Sequence, residues 1–377
     1  MESIRVLHVL SGLWIGGVQR FLLNYYTHIN RNKIQFDFVV MGSTVGCYED
    51  EIIKMGGRIF HIDSISENRN RFKSNFKKFL REHPEYRIVH AHMNFLNGII
   101  LQCAKCCGVP KRISHSHANY PASTFIVGIA RILIKLQIKY CTTDYYACSM
   151  LAGKWLYGNN IIKTNKFKII HNSIDMNKFL YNDLARKETR NKLDVNEDAF
   201  VVIHTGSLSG LKNHMFLLEV FKEIHKKNNN SALLLIGDGD LLNKINEWIE
   251  NNNLSKKVFI LGYQEYVAPF LMAGDIFVFP SLAEGLGISV VEAQTTGLPC
   301  YVSEALPTEV QITDRIFWNT LNDSPSVWAE KILKNNIDKN RNMAQYIENS
   351  IYNINTQTIL LEKEYIDNNT DIIRITV

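Results

Sequence analysis

Short apolar runs alternate with amphipathic segments along the whole chain, and this alternation restricts the fold more than any other feature. In the first half the runs are Ile4–Leu10, Phe36–Met41, Ile88–His92, Arg112–His115 and Asp144–Cys148. In the second half they are Val201–Thr205, Ala232–Gly237, Val258–Gly262, Ile276–Pro280 and Pro299–Ser303. A run that is apolar at every position must be covered on both faces, which is the condition of a strand inside a parallel sheet. Strand–helix alternation in both halves predicts an α/β fold of two doubly wound parallel-sheet, Rossmann-like domains. The 377 residues agree with two domains, because single cores stop growing at about 250–300 residues. The expected division is residues 1–185, residues 186–355, and a terminal helix or tail, 356–377, that packs back on the first domain. Ligands of such sheets bind beyond the carboxyl ends of the strands. Two facing domains are therefore expected to grip a ligand in a central cleft with residues that follow strands in both halves.

Charge is distributed unevenly. Residues 1–185 hold 24 Lys and Arg against 12 Asp and Glu, whereas residues 186–377 hold 18 against 25. A basic half beside an acidic half suggests an anionic partner for the first domain. An anionic membrane surface is the expected partner, and no nucleic acid is expected. Seven cysteines without a framework spacing read as reduced thiols, which points to the cytoplasm. The N-terminal Ile4–Leu10 run reads as a strand rather than a signal peptide. No run reaches the roughly 20 apolar residues needed to span a bilayer.

The strand exits carry the chemistry. After Ile276–Pro280 comes Glu284-Gly285-Leu286-Gly287-Ile288-Ser289-Val290-Val291-Glu292. Its glycines allow a tight turn and close backbone approach to a ligand. The helix that follows aims its free N–H groups at an anion. Glu284 before the helix and Glu292 inside it suit a phosphate with a sugar on one side and a ribose on the other. After the first strand, Gly16-Gly17 opens a helix, without the spacing of a dinucleotide fingerprint. Thr205-Gly206-Ser207-Leu208-Ser209-Gly210-Leu211-Lys212-Asn213 nearly matches a P-loop but fails it, since Leu211 and Asn213 break the pattern. Lys212 at a helix start can still grip a diphosphate as a point charge. His115 and His117 leave another strand two residues apart, with His92 at the same edge. They are read as neutral hydrogen-bonding imidazoles, no metal being expected. Arg131, Lys135 and Lys139 form one basic stripe on an apolar helix, which suits either an anionic membrane or a packed helix with one solvated face.

Together these motifs resemble the retaining glycosyltransferases of family 4, which have the GT-B fold, and most closely those that build bacterial capsular and exopolysaccharides. The Glu284-to-Glu292 segment is similar to the family's Glu-x7-Glu signature, Gly16-Gly17-Val18-Gln19 to its Gly-Gly loop, and Lys212-Asn213-His214 to its diphosphate-binding lysine region. Ile170-His171-Asn172-Ser173-Ile174-Asp175 is similar to its interdomain segment. The resemblance implies a nucleotide-diphosphate sugar donor, with UDP-sugar favoured, and a lipid-linked saccharide acceptor. It also implies retention at the anomeric carbon, without a metal or other cofactor, at the inner face of the plasma membrane. By the same resemblance Lys212, Glu284 and His117 (or His115) act at the reacting centre. Gly16, Gly17, Gly206, Ser207, Leu286, Gly287, Ile288 and Glu292 then line the nucleotide-sugar site, Glu292 holding the ribose. Two residues depart from the pattern: Ser207 replaces the usual Arg, and Ser173 the usual Gly. Arg20 on the facing loop is a candidate to replace the missing charge. A catalytically silent subunit and a sugar-nucleotide epimerase of the same fold are the rival readings.

Overall fold

The structure is a computed structural model that describes residues 3–14, 16–117, 125–335, 340–347 and 350–373, the side chains of 125–131 and 367–373 excepted. It divides into two compact units, Met1–Ile174 with Ile354–Val377, and Asp175–Asn353. The position expected for the boundary, between 185 and 186, falls inside the helix Asp183–Lys192. Arg186 and Arg190 of that helix both bind the Asp275 carboxylate of the second unit, at 2.7 and 2.8 Å.

The first unit is built on a seven-stranded parallel sheet. Its strands are β1 (Ile4–Leu10), β2 (Ile34–Met41), β3 (Ile59–Ile62), β4 (Ile88–Ala91), β5 (Lys111–Ser116), β6 (Asp144–Ala147) and β7 (Phe167–Ile169), in the order β3-β2-β1-β4-β5-β6-β7. Alternate side chains of one strand serve opposite layers. Val6 and Leu10 join a core with Phe21, Leu22 and Tyr25 of the helix Gly17–His28 and with Leu361 and Tyr365 of the C-terminal helix Ile354–Ile373. Leu7 and Val9 face the other way, toward Phe72, Phe76 and Leu80 of the helix Arg69–Glu82 and Ile100 and Ala104 of the helix Asn97–Cys106. The C-terminal helix thus belongs to the first unit. Lys111 Nζ donates to the Glu364 carbonyl at 2.6 Å, and Lys168 pairs with the Glu364 carboxylate.

The second unit has six parallel strands: β8 (Phe200–Thr205), β9 (Ser231–Ile236), β10 (Val258–Ile260), β11 (Ile276–Phe279), β12 (Cys300–Ser303) and β13 (Ile316–Asn319), ordered β10-β9-β8-β11-β12-β13. In each sheet the order reverses beside the first strand, between β1 and β4 and between β8 and β11. These switch points are where ligands of doubly wound sheets bind. Strands β3, β7 and β13 are absent from the sequence reading. All three lie at sheet edges and are short and half-exposed, so they lack the continuous apolar run that marks the central strands. Among the described residues no helix is long and apolar enough to cross a membrane.

Candidate active site

The switch point of the second sheet brings the expected residues together. Strand β11 ends at Phe279, and the loop after it carries Glu284. Gly287 then adopts φ +89° and starts the helix Ile288–Thr295 with no side chain capping its N-terminus. The Val290 amide donates to the Gly287 carbonyl at 2.9 Å, and the amides before it can meet an anion. The Leu286 side chain is buried, so only its backbone can serve a ligand. Glu292 lies one turn into the helix and is half-buried.

Lys212 reaches this loop from the exit of β8. It ends a short 3-10 turn, Gly210–Lys212, and Asn213 at φ +56° swings the chain into the helix His214–Lys227. Lys212 Nζ donates to Glu284 Oε1 at 2.5 Å, with the two side chains 18% and 12% exposed. The ammonium also lies 4.8 Å from the centre of the Phe279 ring. The Leu282 amide donates to the Leu211 carbonyl at 2.8 Å and ties the two loops.

Glycine is required where these loops crowd. A Cβ on Gly206 would stand 3.3 Å from Lys212 Cε and 3.4 Å from His204 Nε2. Gly237, at φ +142° after β9, would place a Cβ 1.9 Å from the Gly206 carbonyl oxygen. Ser207 is exposed, and its hydroxyl lies 3.3 Å from that of Ser209, so no cation stands at this position. Three buried polar atoms around the switch point have no hydrogen-bond partner among the described residues: His204 Nε2, Thr205 Oγ1 and Ser281 Oγ. His204 Nδ1 lies 2.9 Å from the Val278 carbonyl, so it carries the proton, and Nε2 offers a bare lone pair beside Gly206. Burial holds the His204 pKa well below its ordinary value and keeps the ring neutral. A cation, helix amides, a carboxylate and unpaired polar atoms at one strand edge can hold a phosphate and orient hydroxyl groups.

The remaining expected residues lie in the first unit. Gly16 precedes the helix Gly17–His28 without a side-chain cap, and a Cβ there would meet Gln19 Oε1 at 2.5 Å, whereas Gly17 faces open space. His115 is fully buried, with Nδ1 3.1 Å from His90 Nε2. His117 is half-buried at the end of β5, and its amide donates to Asn94 Oδ1 at 3.1 Å. Ser173 is not among the residues of positive φ, so the loss of the usual glycine strains nothing. Tyr25 Oη donates to the His171 carbonyl at 2.8 Å, and Asn24 Nδ2 to that of Ser173 at 2.9 Å, which fixes this segment.

Sequence reasoning missed His204, Thr205, Ser281 and Gly237. The Gly237-Asp238-Gly239 triplet after an apolar run was a legible signal. The orphaned atoms of His204 and Thr205 were not, because both residues sit inside a strand pattern.

Residues 185–351 match the model of the family described as glycosyl transferases group 1. The chain is 32% identical over 342 residues to the putative glycosyltransferase EpsF of Bacillus subtilis, covering 88% of this chain and 87% of that one. It is 27% identical over 317 residues to the UDP-Gal:alpha-D-GlcNAc-diphosphoundecaprenol alpha-1,3-galactosyltransferase of Escherichia coli, covering 80% of each. Among solved structures it is similar to Anabaena Alr3699/HepE in complex with UDP and glucose. The TM-score is 0.72 at 15% identity, over 99% of both chains.

Proposed function

The chain belongs to the group 1 glycosyl transferases, with the two-sheet GT-B fold, and on that premise we propose that it moves a sugar from a UDP-sugar to a lipid-linked saccharide, with retention at the anomeric carbon, in the assembly of a capsular or exopolysaccharide. The observation that carries the proposal is the Lys212–Glu284 pair beside the uncapped Ile288–Thr295 helix. The two relatives add donor and acceptor chemistry, one named for a UDP-sugar and a diphospholipid saccharide, the other solved with UDP and glucose.

In this reading Glu284 holds Lys212 in place until the donor arrives. The diphosphate then competes for the ammonium and for the amides of Leu286, Gly287 and Ile288. Glu284 turns to the hydroxyls of the donor sugar, and Glu292 accepts from the ribose. Gly206 and Ser207 line the diphosphate. As the glycosidic bond breaks, negative charge grows on the diphosphate, and a prepositioned cation stabilises that charge more than it stabilises the bound donor. The leaving phosphate oxygen takes the proton of the acceptor hydroxyl on the same face, so no strong general base is required. His117 is the better candidate than His115 to touch the donor sugar, because it is less buried.

Work at the inner face of the plasma membrane is part of the proposal. The Arg131 side chain lies outside the described side chains. On the same helix, Phe125–Cys141, Lys139 is exposed, and Ile132, Leu133, Leu136 and Tyr140 are each more than half exposed. An exposed apolar stripe flanked by lysine suits the headgroup boundary of an anionic bilayer.

The test supplies UDP-sugars and a short-chain lipid-diphosphate saccharide, and measures UDP release and the anomeric configuration of the product. Acceptor-dependent release with an α-linked product from an α-linked donor supports the reading. Conversion of the donor sugar without acceptor would favour the epimerase. UDP binding without turnover, unrelieved by Ser207→Arg, would favour the silent subunit that the uncharged position 207 suggests.

A further inference from the structure

Five histidines occupy one layer of the first sheet: His8 on β1, His90 and His92 at the end of β4, and His115 and His117 at the end of β5. His8 and His90 are register partners. His8 Nδ1 lies 3.0 Å from His92 Nε2, and His92 Nδ1 lies 2.8 Å from His117 Nε2. His90 Nε2 lies 3.1 Å from His115 Nδ1, and His90 Nδ1 lies 2.9 Å from Tyr365 Oη. Phe21 covers the outer pair, its ring centre 5.1 and 5.3 Å from those of His115 and His117. Apolar side chains would cover this face at lower cost. Each buried nitrogen without a partner costs about 1–3 kcal/mol, and His8 Nε2, His115 Nε2 and His117 Nδ1 have none among the described residues.

We infer that His92, His115 and His117 form a binding site for one divalent transition-metal ion of the zinc class. A ring nitrogen of each lies within 4.8 Å of those of the other two. The hydrogen bonds decide which nitrogens remain: His8 takes His92 Nε2 and His90 takes His115 Nδ1, leaving His92 Nδ1 and His115 Nε2 beside His117 Nε2. With the ion bound, one neutral tautomer set pairs every ring nitrogen except His8 Nε2 and His117 Nδ1. His92 donates through Nε2 to His8 Nδ1. His115 donates through Nδ1 to His90 Nε2, and His90 donates through Nδ1 to Tyr365 Oη. His117 carries its proton on Nε2 in the empty site, donating to His92 Nδ1, and on Nδ1 once the ion takes Nε2. His8 and His90 thus orient two of the ligands in the manner of outer-shell partners of metal-bound imidazoles. Two nitrogens on a tetrahedral ion with bonds of about 2.0–2.1 Å stand roughly 3.3 Å apart. An ion therefore replaces the His92–His117 hydrogen bond and parts the rings by about half an ångström. Burial keeps the rings neutral, the ligating form: His117 is pushed down to about 3, and His92 and His115 lie well below the usual range. An all-imidazole donor set suits zinc, cobalt, nickel or copper and is a poor match for magnesium or calcium, which prefer oxygen. The site does not depend on the proposed transfer chemistry.

The experiment uses untagged full-length protein stripped with chelator and dialysed. Zinc titration by calorimetry and cobalt titration by visible absorption are expected to saturate at about one ion per chain, with the spectrum of a four-coordinate cobalt centre, and magnesium to give no signal. His117→Ala, at the half-buried edge where folding is least at risk, is expected to bind at least about 100-fold more weakly. Tyr365→Phe is expected to weaken binding about 10-fold, as loss of outer-shell support does. His28→Ala, elsewhere on the same unit, should bind as the wild type does. Absence of saturable binding, or a folded His117→Ala that binds zinc as tightly as wild type, would overturn the site and leave the five rings as a hydrogen-bonded core.

Discussion

Single atoms decide how the second domain handles its ligand. Lys212 and Glu284 neutralise each other across 2.5 Å, and neither is well solvated. Lys212→Ala is therefore expected to lower the transfer rate on the order of 10²–10³-fold, the usual effect of removing one preorganised group that faces developing charge. Donor affinity should fall much less, and steady-state kinetics beside UDP calorimetry separate the two. Gly237 tests the crowding of the loops. Alanine there meets both a disallowed φ of +142° and a carbonyl oxygen 1.9 Å away. Backbone strain of this kind costs about 1–3 kcal/mol before any overlap is relieved. Calorimetry of Gly237→Ala should show the transition of this domain falling by several degrees, and an unchanged transition would mean that the loop relaxes freely. His214 adds a pH dependence. Burial lowers its pKa to about 4 in the folded chain, against about 6.5 unfolded. The unfolded chain therefore binds the extra proton between these values, so stability is present above pH 6.5 and lost as pH falls toward 4. At pH 5.5 the loss is roughly 1.4 kcal/mol from this ring. Between pH 7.5 and 5.5, the unfolding free energy of wild type from denaturant curves should fall by about that amount more than that of His214→Asn. Among these residues, Lys212 and Glu284 were legible because charged residues at strand exits stand out in a sequence. Gly237 was not singled out although its glycine triplet follows an apolar run, and His204 was not because only packing gives it a role.

At the level of elements, the central strands and the edge strand β10 were legible, and the other three edge strands were not. Buried strands such as β8 and β11 are apolar at nearly every position, and that pattern survives any detail of packing. Edge strands β3, β7 and β13 bury only part of their surface, so their sequences carry no distinctive periodicity. The helix Phe125–Cys141 shows a different limit. Its lysines are conspicuous in the sequence, yet periodicity alone cannot say which apolar positions are covered. Ile132, Leu133, Leu136 and Tyr140 stay exposed, whereas Ile138 is buried against Tyr145, Leu156 and Tyr157. If the helix rests on a bilayer, both halves of its exposed face contribute. Lys135 and Lys139 add about 1 kcal/mol each near an anionic surface, and the exposed leucines add on the order of 1–2 kcal/mol each by burial. Cosedimentation with anionic vesicles should thus fall for Lys135→Gln with Lys139→Gln, and more steeply for Leu133→Ser with Leu136→Ser. Salt should weaken only the first contribution, because the Debye length is about 8 Å at physiological ionic strength. Equal sedimentation of wild type and both double variants would assign membrane contact to another surface.

At the scale of the whole molecule, the chain does not fold as two consecutive blocks. It leaves the first unit at Ile174 and returns to it at Ile354. The alternation of strands and helices revealed two sheets and even suggested a returning tail, but it could not say what holds the tail. That information lies in contacts between residues at least 196 positions apart. Tyr365 is fully buried and meets His90 Nδ1 at 2.9 Å. Glu364 accepts from Tyr146 Oη at 3.3 Å and pairs with Lys168, while its carbonyl accepts from the buried Lys111 ammonium at 2.6 Å. Ile354 and Leu361 complete the core against the helix Gly17–His28. A chain ending at Asn353 loses all of these contacts together. Lys111 would lose the Glu364 carbonyl, and a hydrogen bond to a charged group contributes about 1.5–3 kcal/mol. Loss of the Tyr365, Leu361 and Ile354 side chains adds about 2–5 kcal/mol for each large core side chain removed. Their sum is comparable to the about 5–15 kcal/mol that stabilises a whole domain. The truncated chain is therefore expected to keep a folded second unit and to lose cooperative unfolding of the first. Calorimetry should show one transition where the full chain shows two or a merged pair. Limited proteolysis should release a resistant fragment near Asp175–Asn353. UDP should still stabilise that fragment, because Lys212, Glu284 and the Ile288–Thr295 helix all lie within it. A truncated protein whose first unit melts as in the full chain would mean that the terminal helix is an accessory rather than a part of the core.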